Sequence, residues 1–338
     1  MPEPRALSLS VIYVSWNSRE PLAVSLLSLL TEARDFALDV TVVDNASADG
    51  TAQMVRERFG QVALIANDAN LGFAVAVNQG LSVSQGQYVL LLNPDALISA
   101  SVISSMLEFL EACPKVGACS PLLVDDDGAS TVNSVAFAPL IQRLDPLVRA
   151  HPHGAVLDLP PGPWGRVTRA HWLAGACLLV RREVFEATAG MDAGFFLYWE
   201  DIDWCYRCLH AGWEVALLED LTALHPGGHS AKQLPRPVTL ARMHDGYFRF
   251  LASAFGCGVA RANFVQWVLN AGVKAPAFWL LSRCSERWAY RSIFESSRLH
   301  FCLRNSGRPF WRCEFGRNYA PDGVRWTPIR NCRAGAVR

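Results

Sequence analysis

Gly86-Gln87-Tyr88-Val89-Leu90-Leu91-Leu92-Asn93-Pro94-Asp95 is the stretch on which the reading of this chain turns. Tyr88 to Leu92 is an unbroken run of β-favouring and aliphatic residues, the pattern of a strand buried on both faces at the centre of a mostly parallel sheet. Pro94 cannot donate to a ladder and restricts the residue before it, so the strand stops there and leaves Asn93 and Asp95 facing the carboxyl-end crevice. Open α/β sheets bind their ligands in that crevice.

Working outward, the residues before this strand repeat one pattern. Leu7 to Val14 reads as a first strand ending at Ser15-Trp16-Asn17-Ser18, with a helix from Pro21 to Leu30 capped by Asn17 or Ser18. Val40 to Val43 is a second buried strand that closes on Asp44-Asn45-Ala46-Ser47, and a helix follows through Phe59. Val62 to Ala66 is a third strand; Asn67-Asp68-Ala69-Asn70-Leu71-Gly72-Phe73 then leads to a helix over Ala74 to Val83. Strands and helices alternating in this way predict an α/β, doubly wound sheet.

After Asp95 the pattern loosens. Val102 to Cys113 is an amphipathic helix, and Val116 to Val124 leads to Asp125-Asp126-Asp127-Gly128, read as an exposed hairpin turn and not as a metal site. Pro139 to Arg169 is dense in proline and glycine and predicts a long loop or lid. Two compact blocks follow, His171 to Arg182 and Met191 to Cys205, then a strand over Trp213 to Leu218 and the run Thr222 to Ser230.

Of the 338 residues 51% are hydrophobic and 18% charged, which excludes a disordered or collagenous chain and provides core enough to fold without disulfides. The ten cysteines are scattered and the start, Met1-Pro2-Glu3-Pro4-Arg5, has no signal-peptide profile, so reduced thiols in a cytoplasm are expected. Arg261, Asn263, Asn270 and Lys274 interrupt the longest apolar stretch, leaving a soluble or peripheral protein. The net charge of zero hides an asymmetry: residues 1–230 carry 13 basic and 26 acidic side chains, whereas residues 231–338 carry 18 and 5. Two domains are expected, an acidic body over 1–230 and a basic, mainly helical extension over 231–338. The extension is either a solvated arginine-rich surface or a contact for anionic headgroups, worth about 1 kcal/mol per basic residue near such a membrane.

Three strand ends place acids where one crevice collects them: Asp44, Asp95 and the Glu200-Asp201 pair. A carboxylate in aliphatic surroundings is costly unless it is hydrogen-bonded, paired or metal-bound; the plainer alternative is that each caps the helix that follows. The aromatic run Phe195 to Trp199 delivers Glu200, Asp201 and Asp203 abruptly. A helix starting near Asp201 stabilises ionised acids in its first turn while the aromatics desolvate them, a setting suited to general-base work on a hydroxyl. His225, before Pro226-Gly227-Gly228, is either a structural histidine or, beside Asp95, a candidate second ligand for Mg²⁺ or Mn²⁺, with His229 a weaker candidate. Cys205 and Cys208 are formally C-x-x-C but read as buried structural thiols. A dinucleotide-binding oxidoreductase would need G-x-G-x-x-G after the first strand, where this chain has Ser15-Trp16-Asn17-Ser18.

Taken in order, Val42-Val43-Asp44-Asn45-Ala46-Ser47, Asn70-Leu71-Gly72-Phe73, Leu91-Leu92-Asn93-Pro94-Asp95, Gly175 to Arg182 and Phe196 to Asp203 resemble family 2 glycosyltransferases, in particular the bacterial rhamnosyltransferase-like members. The resemblance covers residues 7 to about 230. It implies a GT-A fold and inverting transfer of a sugar from a nucleotide diphosphate, with a divalent cation, Mg²⁺ or Mn²⁺. It further implies that Asp44 meets the base or ribose, that Asn70, Gly72 and Asn78 line the nucleotide pocket, and that Ser15, Asn17, Asn45, Asn93 and Gly175 complete the donor set. Asp95 matches the last acid of D-x-D on the metal and diphosphate, Asp201 the catalytic base with Glu200 beside it, and His225 a histidine that completes the metal site in some members. Asn93 stands where many members have the first acid of D-x-D; Asn-Pro-Asp is common in the rhamnosyltransferase-like group.

The implied donor is dTDP-L-rhamnose, with a UDP-hexose as the alternative, and the implied acceptor is a hydroxyl of a polysaccharide or lipid-linked glycan. No nucleic-acid partner is expected. A non-catalytic sugar-nucleotide or glycan-binding protein on the same fold is the competing reading, supported by Asn93 and opposed by the intact Glu200-Asp201 pair.

Overall fold

All five residues of β4 (Tyr88–Leu92) are buried, and the rest of the sheet is laid out around that strand. The computed structural model describes residues 8–281 apart from 34–36, 132, 133, 135, 158, 161, 228–232 and 235, with side chains to 267 except those of 236 and 237. Before β4 come β1 (Ser8–Ser15), α1 (Arg19–Glu32), β2 (Ala37–Asp44), α2 (Thr51–Arg58), β3 (Ala63–Ala66) and α3 (Phe73–Val83). After it come α4 (Ala100–Ala112), β5 (Val116–Val124), α5 (Pro139–Leu144), α6 (Pro146–Ala150), β6 (Val167–Arg169), β7 (Cys177–Arg181), α7 (Arg182–Ala187), α8 (Glu200–His210) and β8 (Glu214–Leu224).

The strands form one sheet in the order β3-β2-β1-β4-β7-β5-β8-β6. β3, β2, β1 and β4 run parallel, β7 is antiparallel to both β4 and β5, β5 and β8 are parallel, and β6 closes the edge antiparallel to β8. Chain order reverses between β1 and β4, which opens the crevice at their carboxyl ends. Alternation along β1 shows why both faces are apolar. Tyr13 turns to α1, where its hydroxyl meets Ser25 at 3.0 Å. Ile12 turns to α3, so close that a Cβ on Gly80 would stand 2.5 Å from Ile12 Cγ2.

The α/β reading of the sequence holds, with four differences. Neither Asn17 nor Ser18 caps α1 through its side chain; Asn17 Oδ1 accepts from the Ala48 N–H and Ser18 Oγ donates to the Trp16 carbonyl. β3 begins at Ala63, one residue later than read, and is a partly exposed edge strand. The 139–169 stretch is built rather than a plain loop: it contains α5, α6 and β6, because prolines start both helices and Asp145 caps α6 by accepting from the Leu147 and Val148 N–H groups. β8 runs on past Leu218 to Leu224, between β5 and β6, with a register shift at Pro121/Leu122.

The described residues fall into two compact units, divided between Gln233 and Leu234. The second contains α9 (Arg236–Leu281), interrupted at Gly256, whose φ of 84° lies in the left-handed region. Phe248 meets Phe264 at 5.2 Å and His244 meets Trp267 at 4.9 Å between ring centroids, so the two halves fold back on each other. No described helix is long and apolar enough to cross a membrane. Most of the basic extension lies outside the described residues.

Candidate active site

Because β7 runs antiparallel to β4, its start lies at the carboxyl end of β4. Asn93 therefore donates its N–H to the Ala176 carbonyl at 2.8 Å. Four residues further, Leu97 and Leu224 exchange both backbone hydrogen bonds at 2.9 Å, which draws the end of β8 alongside, and the His225 N–H donates to the Val124 carbonyl at 2.7 Å. Asp95 and His225 meet as a consequence: Oδ1 lies 3.3 Å from Nε2, with both side chains largely buried. Asn93 Nδ2 stands 3.2 Å from the same Nε2. Among the described residues no three His, Cys, Asp or Glu side chains gather as a metal site, and His229 lies outside the described residues.

The loops after β1 and β2 are laced together. Asp44 is buried; Oδ1 accepts from Ser47 Oγ at 2.5 Å and Oδ2 from the Ser47 N–H at 3.1 Å. Burial raises its pKa, and the two Ser47 hydrogen bonds offset only part of that. Ser47 Oγ also accepts from the Asn17 N–H at 2.8 Å, and the Asn45 N–H donates to the Ser15 carbonyl at 2.8 Å. Ser15 is fully buried, and its Oγ finds no hydrogen-bond partner among the described residues. Asn45 Nδ2 donates to the Gly72 carbonyl at 3.2 Å, and Asn70 Oδ1 accepts from the Gly72 N–H at 3.0 Å. Gly72 has φ of 87°, and a Cβ there would lie 2.5 Å from the Phe196 carbonyl oxygen, so only glycine fits both the turn and the contact. The next residue, Phe73, donates its N–H to that carbonyl at 2.7 Å.

Phe196 opens the segment that delivers the acids. Tyr198 (φ 71°) and Trp199 (φ 77°) are successive left-handed residues with side chains, a costly backbone that persists only where surroundings enforce it. α8 starts at the next residue and carries Glu200, Asp201 and Asp203 in its first turn. Asp201 Oδ2 accepts from the Gly175 N–H at 3.3 Å and Oδ1 from the Ile202 N–H at 2.8 Å. Burial pushes its carboxyl up to about 6, with those backbone hydrogen bonds pulling the other way. Glu200 is raised much further, by burial and then by the Asp201 charge, and its Oε2 has no hydrogen-bond partner among the described residues. The arrangement is two acids with different protonation preferences side by side, the pattern of a site that handles protons.

Among the described residues, the site residues named from the sequence lie at the carboxyl-side ends of strands or in segments hydrogen-bonded to them, except Asn78. That side chain projects from α3 and pairs with the Met191 backbone, Nδ2 donating to its carbonyl at 2.7 Å and Oδ1 accepting from its N–H at 3.0 Å. Sequence reading missed the Phe196 carbonyl, which carries no side-chain signal. It also missed Asp145, whose Oδ2 accepts from Tyr206 and lies 2.7 Å from His210 Nε2, fastening α6 to α8. Cys205 and Cys208 are buried thiols on α8, both raised by desolvation.

A mostly parallel sheet with acids at the switch point and an acid pair heading α8 is the architecture of the GT-A glycosyltransferases. The chain belongs to Glycosyl transferase family 2, whose profile matches residues 10–206. It is 30% identical over 305 residues to an N-acetylglucosaminyl-diphospho-decaprenol L-rhamnosyltransferase of Mycobacterium tuberculosis, covering 84% of this chain and 95% of the relative. Among solved structures it is similar to GalNAc-T7 with UDP, GalNAc and Mn2+ (TM-score 0.53, 15% identity, 74% of this chain and 48% of that one). It is also similar to S. aureus TarS 1-349 in complex with UDP (TM-score 0.51, 14% identity, 83% and 77%). The last two likenesses establish the fold.

Proposed function

We propose that this chain is an inverting rhamnosyltransferase that moves L-rhamnose from dTDP-L-rhamnose to a sugar hydroxyl on a lipid-linked diphosphate acceptor. The observation that carries the reading is Asp201: a carboxylate at the head of α8, raised by burial to about 6 and oriented by the Gly175 N–H. Such a base is ionised at neutral pH yet basic enough to take a hydroxyl proton as the acceptor oxygen attacks the anomeric carbon. The sugar–phosphate bond breaks on the opposite face, which inverts that centre. Glu200, kept protonated by burial and by its neighbour, sets the local field and is not a second base.

The donor's nucleotide would lie against Ser15, Asn17, Asp44, Asn45, Asn70 and Gly72, where the loops after β1, β2 and β3 converge. Its diphosphate would face Asn93 and Asp95. Asp95 and His225 suit a divalent cation, one hard oxygen and one borderline nitrogen 3.3 Å apart; two neighbouring ligands on an ion with bonds of about 2.1 Å lie at a similar spacing. A bound Mg²⁺ or Mn²⁺ would offset the charge of the departing diphosphate. Asn93 Nδ2, 3.2 Å from His225 Nε2, would give up any hydrogen bond to that nitrogen when it binds an ion, because Nε2 has a single lone pair. The GalNAc-T7 structure, which has the same fold, contains UDP and Mn2+.

Rhamnose and a polyprenol-diphosphate acceptor rest on the mycobacterial relative's activity. An acceptor of that kind resides in a membrane, and the 18 basic residues after position 230 would draw the protein to its anionic surface. The direct test is transfer of radiolabelled rhamnose from dTDP-L-rhamnose to a synthetic farnesyl-diphospho-N-acetylglucosamine. Product with inverted anomeric configuration is expected; transfer only from UDP-hexoses would replace the donor, and no transfer from any donor would overturn the reading.

A further inference from the structure

α3 reaches the acid-bearing segment at two points. Its first residue, Phe73, donates its N–H to the Phe196 carbonyl. Further along the same helix, the Asn78 amide pairs with Met191 in both directions, donor to carbonyl and carbonyl to N–H. A Cβ on Gly190 would stand 2.5 Å from Asn78 Oδ1, so the pairing is tight enough to exclude a side chain there. From the other side, Arg207 of α8 donates to the Gly190 carbonyl at 2.9 Å while paired with Asp203 at 2.8 Å. The turn over 188–191 is thus clamped between α3 and α8.

What lies between these anchors needs clamping. The segment runs from Met191 through Phe195, whose N–H donates to the Asp192 carbonyl at 3.0 Å, to the left-handed pair Tyr198 and Trp199. Left-handed backbone at residues with side chains is costly, so the segment keeps it only while contacts along it and at its ends hold it. One end is the Glu200-Asp201 head of α8; the other is Met191.

We propose that Asn78 is a positioning residue for the catalytic base and not a contact for the nucleotide: by holding Met191 it keeps the Phe195–Trp199 turn in the conformation that sets Asp201 against Gly175. The proposal rests on the transferase reading above. It reassigns a side chain that the family resemblance places in the nucleotide pocket, because both ends of that amide are turned to a backbone 113 residues away.

The test uses the full chain with Asn78→Ala, Asn78→Asp and Gly190→Ala. Three quantities are read: dTDP-L-rhamnose affinity by calorimetry, kcat with farnesyl-diphospho-N-acetylglucosamine, and the acidic limb of the kcat–pH profile. For Asn78→Ala the donor Kd stays within about twofold, kcat falls by about tenfold or more, and the acidic limb moves to lower pH as water reaches Asp201. Asn78→Asp, which still accepts from the Met191 N–H, falls between Asn78→Ala and the parent. Gly190→Ala, which crowds Asn78 Oδ1 and also strains a backbone at φ 70°, should lower kcat with the donor Kd within about twofold, and Asn78→Asp carries the test if Asn78→Ala fails to fold. A donor Kd raised tenfold with an unmoved acidic limb would overturn the proposal in favour of a nucleotide contact, and so would parental kcat and pH profile. If the parent binds no nucleotide sugar the transferase reading falls, and hydrogen exchange at the Met191 amide then decides the clamp: faster exchange in Asn78→Ala supports it, unchanged exchange overturns it.

Discussion

The Gly175 N–H donates to the Asp201 carboxylate at 3.3 Å, and the next residue, Ala176, accepts from the Asn93 N–H at 2.8 Å. Two residues just before β7 therefore tie the Asp201 carboxylate to the Asn93-Pro94-Asp95 segment. Antiparallel β7 makes this possible, since a parallel strand would place its start at the far end of the sheet.

Replacing Asp201 with Asn should cut kcat by about 10²–10⁴-fold, the range for loss of a general base, and leave donor affinity unchanged. In the parent, kcat should rise with pH through about 6, where burial places the Asp201 carboxyl. The stability consequence has the opposite sign. The folded state keeps this proton where the unfolded chain has lost it, so the group's favourable contribution is full below about pH 4 and declines as pH rises to about 6. Asp201→Asn should accordingly gain in thermal midpoint over the parent at pH 8 and show little gain at pH 4, read by calorimetry.

Gly72→Ala brings a methyl group to 2.5 Å from the Phe196 carbonyl at a φ of 87°. Donor binding and turnover should fall together, and urea denaturation should show a loss of about 1–3 kcal/mol. Retained stability with retained activity would mean that the Phe73–Phe196 clamp yields at no cost.

Asp95→Ala and His225→Ala should each weaken donor binding in Mn²⁺ by about tenfold or more, about 1.4 kcal/mol per tenfold. The same variants titrated in a chelator should differ little from the parent in chelator. An equal loss with and without metal would assign both side chains to direct contact with the diphosphate.

Asp145→Ala removes the cap of α6 and the partner of Tyr206 and His210 at once. A loss of about 1–3 kcal/mol at pH 7 is expected. Burial raises the Asp145 carboxyl, but hydrogen bonds from Tyr206, His210 and the α6 amides outweigh it and leave a lowered pKa. Its contribution is therefore present above the ordinary carboxylate range and lost as pH falls through the lowered value, so parent and variant should converge in denaturation curves near pH 2.

The buried strands were legible because the runs Tyr88 to Leu92 and Val40 to Val43, stopped at Asn93-Pro94 and at Asp44, leave few alternatives. The acids were legible for the same reason: Asp44 ends its apolar run directly, and Asn93-Pro94-Asp95 and Glu200-Asp201 follow theirs at once. What was not legible depends on partners far along the chain. The density of prolines over 139–169 reads as a loop until Asp145 is seen to bond Tyr206 and His210, 61 and 65 residues away. The antiparallel sense of β7 is set by pairing with β4 and β5, and its apolar run is compatible with either direction. Tyr198 and Trp199 give no hint in the sequence of their left-handed backbone, which neither residue type favours.

The most direct test of the account is calorimetric titration of dTDP-L-rhamnose into the purified chain in Mn²⁺, repeated in chelator and with UDP-glucose and GDP-mannose as alternatives. Saturable binding of dTDP-L-rhamnose that weakens about tenfold or more in chelator is predicted, with the other donors weaker still. Absence of binding by every donor in every condition would contradict the account.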